Sequence, residues 1–297
     1  MLRYETAAGV GIILDDYLEQ RTVWELFGRT GFAAPPLEYT DETYAAGYTE
    51  TIAARVLPRD VTIPLVIRGK TQAERDGVLR RIAERVIQHG VRHDWGRLVF
   101  TRSDGKEAYL HCVYAGGLEA IADDEPFVYK AVVNFHASDP YFYALDETSV
   151  TLSNAGDAGL YFGAFWFGEG TYFRGGSVSA VGEVVNDGQM VYPEILITGP
   201  AKAIRIRGLD SGAAIAFPSS FELQRGEQIR IDCRDRRRGV WLTRSDGVVS
   251  DITPILTLES SLIFPIHNGA NRFQLDYVDA TDATRFLLRY RERGFSA

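Results

Sequence analysis

At 297 residues, with 45% hydrophobic and 24% charged side chains, the chain has the profile of a globular protein with core material for one large domain or two ordinary ones. Its net charge of −8 and the absence of a basic tail make it a poor candidate for tight sequence-independent DNA binding, whose affinity comes from Lys and Arg neutralising phosphates. No apolar run approaches the roughly 20 residues of a membrane span, and the short patch Val10–Leu14 is followed by two acidic residues, unlike an export signal.

The pattern is mostly β with one principal helix. In VTIPLVI, residues 61–67, Val61, Ile63, Leu65 and Ile67 fall on one face, the period-2 mark of a half-buried strand. Thr71 and Glu74 then form a T-x-x-E capping box. Val78, Leu79, Ile82 and Val86 make one stripe and Gly90 supplies a stop, so a helix is expected over about 71–89. RLVFTRSDGKEAYLHCVY reads as a hairpin around Ser103-Asp104-Gly105. Phe127–Phe135 alternates again and runs into Asp139-Pro140, followed at once by Tyr141, Phe142 and Tyr143. Val61–Ile67 and Phe127–Phe135 are expected to be core or interface strands, which periodicity does not separate.

Beyond residue 145 helical periodicity disappears. Short strands recur between turn signals such as Asp187-Gly188, Arg225-Gly226 and Asp246-Gly247, the spacing of a β-sandwich. The division expected is therefore 1–143 as a mixed α+β domain and 144–297 as the sandwich. TRSDG occurs at 101–105 and again at 243–247, where shared turn chemistry accounts for it better than duplication. Cys112 and Cys233 sit in alternating apolar runs far apart, as buried thiols do.

No catalytic or metal-binding constellation assembles. His89 and His93 are four apart, but Gly90 intervenes and no zincin-type Glu accompanies them. Phosphate-loop, nucleophile-elbow and dinucleotide motifs are missing, so no cofactor is expected. Asp15-Asp16, Asp123-Asp124 and the pair Asp279 and Asp282 lie near turns, where carboxylates are ordinary solvated surface. Arg236, Arg237 and Arg238 are expected at an exposed basic hairpin tip, open to phosphate or an acidic partner, or simply solvated. YFGAFWFGEGTYF, 161–173, offers Tyr161, Phe165, Trp166 and Phe167 as an aromatic contact face, for a sugar or a protein, or as core.

Four stretches carry a resemblance. They are LPRDVTIPLVIRGKTQAERDGVLRRIAERV, VVNFHASDPYFYA, VVNDGQMVYPEILITGPA and FPIHNGANRFQLDY. In that order they resemble the strand and helix, the D-P-aromatic hallmark, the N-x-G run and the closing P-x-x-x-G-x-N segment of the distal tail protein (Dit) family of long-tailed bacteriophages. Segments 25–55 and 145–182 match least.

The resemblance implies a ring-forming belt domain, a galectin-like β-sandwich attached to it, and a homohexamer at the distal end of the tail, in the virion. The expected partners are the tail tube protein, the tail hub or a tail-associated protein, and a receptor-binding protein or host glycan. DNA would pass in transit through the lumen, and no membrane, cofactor or catalytic residue is implied. The protein would be made in the host bacterial cytoplasm. Asp139, Pro140, Tyr141, Phe142 and Tyr143 are expected at the seam between the domains. A carbohydrate-binding module is the alternative function, and a hydrolase on the same scaffold a second.

Overall fold

The structure is a computed structural model that describes residues 2–6, 11–15, 23–25, 28–45, 47–91, 95–119, 121–122, 127–152, 178–235, 237–279 and 284–296. The chain opens with strands β1 (Leu2–Glu5), β2 (Gly11–Asp15), β3 (Val23–Glu25), β4 (Leu37–Thr43), β5 (Thr49–Val56) and β6 (Arg59–Arg68). Helix α1 (Gln72–Val91) follows, then β7 (Gly96–Thr101), β8 (Glu107–Gly117), β9 (Ile121–Ala122), β10 (Val128–Ala137) and β11 (Phe142–Ala144). Next come β12 (Thr148–Leu152), β13 (Val178–Asn186), β14 (Glu194–Thr198), β15 (Ala201–Gly208), β16 (Ala214–Ala216) and β17 (Glu222–Leu223). The last strands are β18 (Gln228–Asp232), β19 (Gly239–Thr243), β20 (Val249–Asp251), β21 (Gly269–Val278), β22 (Arg285–Tyr290) and β23 (Arg293–Gly294), with a short 3-10 turn at Thr253–Ile255.

Two compact units result, one of Met1–Asp146 with Arg293–Ala297 and the other of Glu147–Glu292. This differs from a boundary at 143/144 with everything beyond it in the sandwich. Backbone pairing is the reason. Strand β11 pairs with β8, and β23 pairs with β11, so residues on both sides of the sandwich belong to the first unit. Composition shifts mark where a core changes, but not where a closing strand returns.

In the first unit an antiparallel sheet runs β2-β1-β7-β8-β10-β6-β3. Strand β8 gives one edge to β7 and the other to β11 and then β10. The alternation of β6 does what its period predicts, since Val61, Ile63, Leu65 and Ile67 are all fully buried. They share a core with Val78, Ile82 and Val86 of α1 and with Leu98, Leu110, Val133 and Phe135. Burying each such aliphatic stabilises by about 1.5–3 kcal/mol, so the helix is held by its stripe more than by its own propensity. The cap forms with a shift. The Glu74 N–H donates to Thr71 Oγ1 (3.2 Å), while Glu74 Oε2 accepts from Lys70 N–H (2.7 Å) rather than from Thr71. The helix runs two residues past 89, taking Gly90 into its last turn.

The second unit is a sandwich of a six-stranded sheet, β12-β22-β14-β18-β19-β20, and a five-stranded one, β13-β21-β15-β16 with β17 beside β15. Inward residues such as Ile195, Ile229, Val240 and Phe286 meet Ile206, Ile215, Phe273 and Tyr277 in one core. Two buried asparagines build its turns. Asn186 accepts from Gly188 N–H (3.1 Å) and donates to Gln189 O (3.0 Å). Asn271 accepts from His267 N–H (2.7 Å) and donates to the carbonyls of His267 and Gly269, both at 2.8 Å. The N-x-G and G-x-N patterns are thus turn chemistry in which a side-chain amide satisfies buried backbone groups.

The two TRSDG copies fold alike. Arg102 and Arg244 each accept the glycine N–H three residues on, at 3.0 and 2.9 Å. Asp104 and Asp246 each accept an N–H two residues on, at 3.0 Å. Gly105 and Gly247 sit at φ 81 and 85.

Candidate functional site

The stretch after β10 is organised by Asp139. One carboxylate oxygen accepts the Tyr141 N–H (3.2 Å) and the other the Tyr143 hydroxyl (2.7 Å), an Asx turn that bends the chain at Pro140. Pro140 lies where the ladder has ended, so its missing N–H leaves nothing unpaired. Phe142 is buried against Phe100 and Phe32, with ring centroids 5.2 and 5.8 Å away. Tyr143 stacks on Tyr109 at 5.6 Å, and burial, then the nearby Asp139 charge, pushes its phenol well above the usual range. Tyr141 stacks on Phe295 at 5.2 Å and lies under the Arg293 guanidinium at 4.0 Å. Each of these rings therefore has partners within the first unit.

Arg59 sits at the centre of the same cluster, 2% exposed. Its guanidinium donates to Gly31 O (2.8 Å), Ala33 O (2.9 Å) and Phe295 O (2.7 Å), and its carbon lies 4.5 Å over the Phe142 ring. Burial lowers its pKa to about 10, against which the Asp139 charge acts. Sequence reasoning passed over Arg59 because nothing in LPRDVTI distinguishes a buried arginine from a solvated one.

The other feature the sequence left unread is a projecting arm. Among the described residues, strands β4 and β5 pair with each other and with no third strand, and every residue of both is exposed except the half-buried Val56. At its tip Tyr44 stacks on Tyr48 (4.8 Å), and at its root Leu57 N–H donates to Pro36 O (2.9 Å). Leu37, Tyr39 and Ile52 are 47%, 59% and 53% exposed. Glu38, Asp41, Glu42 and Glu50 outnumber Arg55 along it. The Thr- and Tyr-rich composition was the available signal, but with no buried face there is no hydrophobic period to find.

At the basic tip Arg238 pairs with Asp235 (2.5 Å) and lies 5.2 Å over Tyr192. Neighbouring Arg234 pairs with the buried Asp232 (2.6 Å) and with Glu194 (3.2 Å). Arg237 is exposed, and Arg236 lies outside the described residues. Tyr161, Phe165, Trp166 and Phe167 also lie outside them, as do His93 and the side chain of His89.

Among the described residues no group of three or more His, Cys, Asp or Glu is placed to hold a metal. His136 pairs with Asp60 (2.7 Å) on the exposed surface, and Asp279 with Lys202 (3.3 Å). Both thiols are free and buried. Burial pushes Cys112 up and Cys233 to about 12, which leaves neither as a nucleophile at neutral pH. The cluster around Arg59 therefore holds chain segments together, and the arm presents a surface. Among the described residues no helix is long and apolar enough to cross a membrane.

No family model matches the chain, and no curated protein does. Solved structures do. The chain is similar to the Dit protein of phage SPP1, described as a paradigm of the hub adsorption apparatus in phages infecting Gram-positive bacteria. The two are 14% identical at a TM-score of 0.55, over 98% of this chain and 99% of that one. It is also similar to a chain of the phage P2 baseplate in its activated conformation with Ca, at 13% identity and a TM-score of 0.52, over 97% and 98%. The corresponding structure with Sr gives 13% and 0.50, over 98% of each. Along nearly its whole length, then, this chain has the fold of the phage distal tail protein Dit.

Proposed function

We propose that the chain is a structural protein of the virion, placed at the distal end of a phage tail. There copies of it close into a ring, a hexamer, that joins the tail tube to the tip hub and leaves a lumen for DNA. The observation that carries this reading is the arm. A two-stranded hairpin is marginally stable by itself, and this one leaves both backbone edges unpaired among the described residues and large apolar side chains exposed. Docking on the next copy buries them. A contact between two different surfaces repeats head to tail, and a ring is the closed form of that repeat. Whole-length likeness to a hub protein and a baseplate chain supports the same reading. So does the acidic net charge, which suits a passage through which DNA slides without adhering.

The test is light scattering behind a sizing column over a concentration series. It compares the intact chain with one in which 38–55 are replaced by an Asn-Gly turn. The intact chain should give a species near six times 33.1 kDa that grows with concentration, and the armless chain should remain monomeric. An intact chain that stays monomeric at every concentration, alone and with isolated tail tubes, refutes the ring. An armless chain that assembles as well as the intact one removes the arm from the contact.

A further inference from the structure

The arm has no core of its own, so its direction is set where it joins the first unit. Its first strand follows Pro36 and its second ends at Val56, three residues before Arg59. Arg59 leaves the arm at the head of β6 and reaches back to Gly31 and Ala33, on the strand's approach to the arm. That approach is pressed close. Gly31 has φ +86, and a Cβ there would meet the Asp60 carbonyl and lie 2.9 Å from Val61 Cα. Thr30 and Thr62 exchange backbone hydrogen bonds of 3.0 and 3.3 Å beside it. Both roots of the arm are therefore tied to one guanidinium.

The third acceptor of that guanidinium is the Phe295 carbonyl, 236 positions away in sequence. Strand β23 holds it there by pairing Gly294 with Phe142 and Arg293 with Tyr143. Phe295 and Arg293 both pack on the Tyr141 ring. A buried guanidinium that loses an acceptor leaves a donor unsatisfied, and Arg59 Nε already has no hydrogen-bond partner among the described residues. The site therefore has no slack. If the returning strand lifts, Arg59 must seek water and release Gly31 and Ala33.

We propose that Arg293–Ser296 is a latch: by completing the hydrogen bonds of Arg59 it locks the two roots of the arm, and lifting it frees the arm to swing. The latch follows directly in the chain on β22, which ends at Tyr290. Its consequence for assembly rests on the ring reading above. The latch itself does not.

Hydrogen–deuterium exchange across residues 28–36 and 57–62 tests it, on the full chain and on a chain stopped after Glu292, with light scattering on the same samples. The stopped chain should exchange about tenfold faster at both roots while β7 and β8 keep their protection. Arg59→Lys, which keeps charge but loses the forked donors, should do the same to a smaller degree. Should the stopped chain not fold, Arg59→Lys carries the test on the same terms. Root exchange unchanged in these variants overturns the latch, even where assembly is lost. Faster root exchange upholds the latch whether or not assembly changes.

Discussion

Replacing Phe142 with alanine separates a ring that stabilises one unit from a ring that serves both. Phe142 is 3% exposed, with Phe100, Phe32 and the Arg59 guanidinium as neighbours, all in the first unit. Truncating a buried phenylalanine costs about 3–5 kcal/mol, and removing the ring beneath a desolvated guanidinium adds about 1 kcal/mol. Against a typical domain stability of about 5–15 kcal/mol, that leaves the first unit marginal. A chain of two units does not unfold in one step, so a single spectroscopic midpoint is the wrong measurement. Urea unfolding followed by hydrogen exchange in peptides from each unit assigns the loss. The first unit should fall by about 4–6 kcal/mol and the second should not move. A loss under about 1 kcal/mol would refute the burial argument. Equal losses in both units would instead show Phe142 to be the inter-domain seam that ASDPYFY led us to expect.

Three further outcomes follow from particular groups. Arg3, through its hydrogen bonds, holds the Glu107 carboxyl below the usual range, so its contribution is present above the ordinary carboxylate pKa and lost as pH falls through the depressed value. Both side chains are partly exposed, which screens the pair to at most ~1 kcal/mol. Glu107→Gln should flatten the acid limb of first-unit stability, and an unchanged limb would contradict the pairing. The Tyr4 and Tyr143 phenols are raised by burial above their unfolded values, so that stability is intact below the ordinary tyrosine pKa and is lost as pH rises through the folded ones. Ultraviolet titration of Tyr143→Phe should show as many readily ionised tyrosines as wild type, and a count lower by one would place Tyr143 in solvent. Finally, a Cβ at Gly105 or Gly247 meets open space, so only the positive φ opposes alanine at either. Each change should cost about 1 kcal/mol, in its own unit alone, and a twofold inequality between them would break the likeness of the turns.

Periodicity made much of this protein legible. Val61 to Ile67 announced a strand by alternation and Val78 to Val86 a helix by its stripe, because both patterns record burial on one side of an element. The paired TRSDG turns were readable because Asp and Gly fix turn geometry locally. The Asp139 stretch was visible as an anomaly, but the ring contacts inside it were not, because Phe32, Tyr109 and Phe295 lie far away in sequence.

By itself, then, the sequence determined the elements that repay local pattern: the strands with a buried face, the capped helix, the glycine turns, and the order of a mixed domain before a sandwich. Only the tertiary structure decided what depends on pairing between distant residues. It returned Arg293–Ser296 to the first unit, made Arg59 a buried tie between Gly31, Ala33 and Phe295, and left the strands Leu37–Thr43 and Thr49–Val56 without a buried face. The physical reason is common to all three. A backbone carbonyl 236 positions away, and an arm with no buried face, leave no period in the chain that contains them.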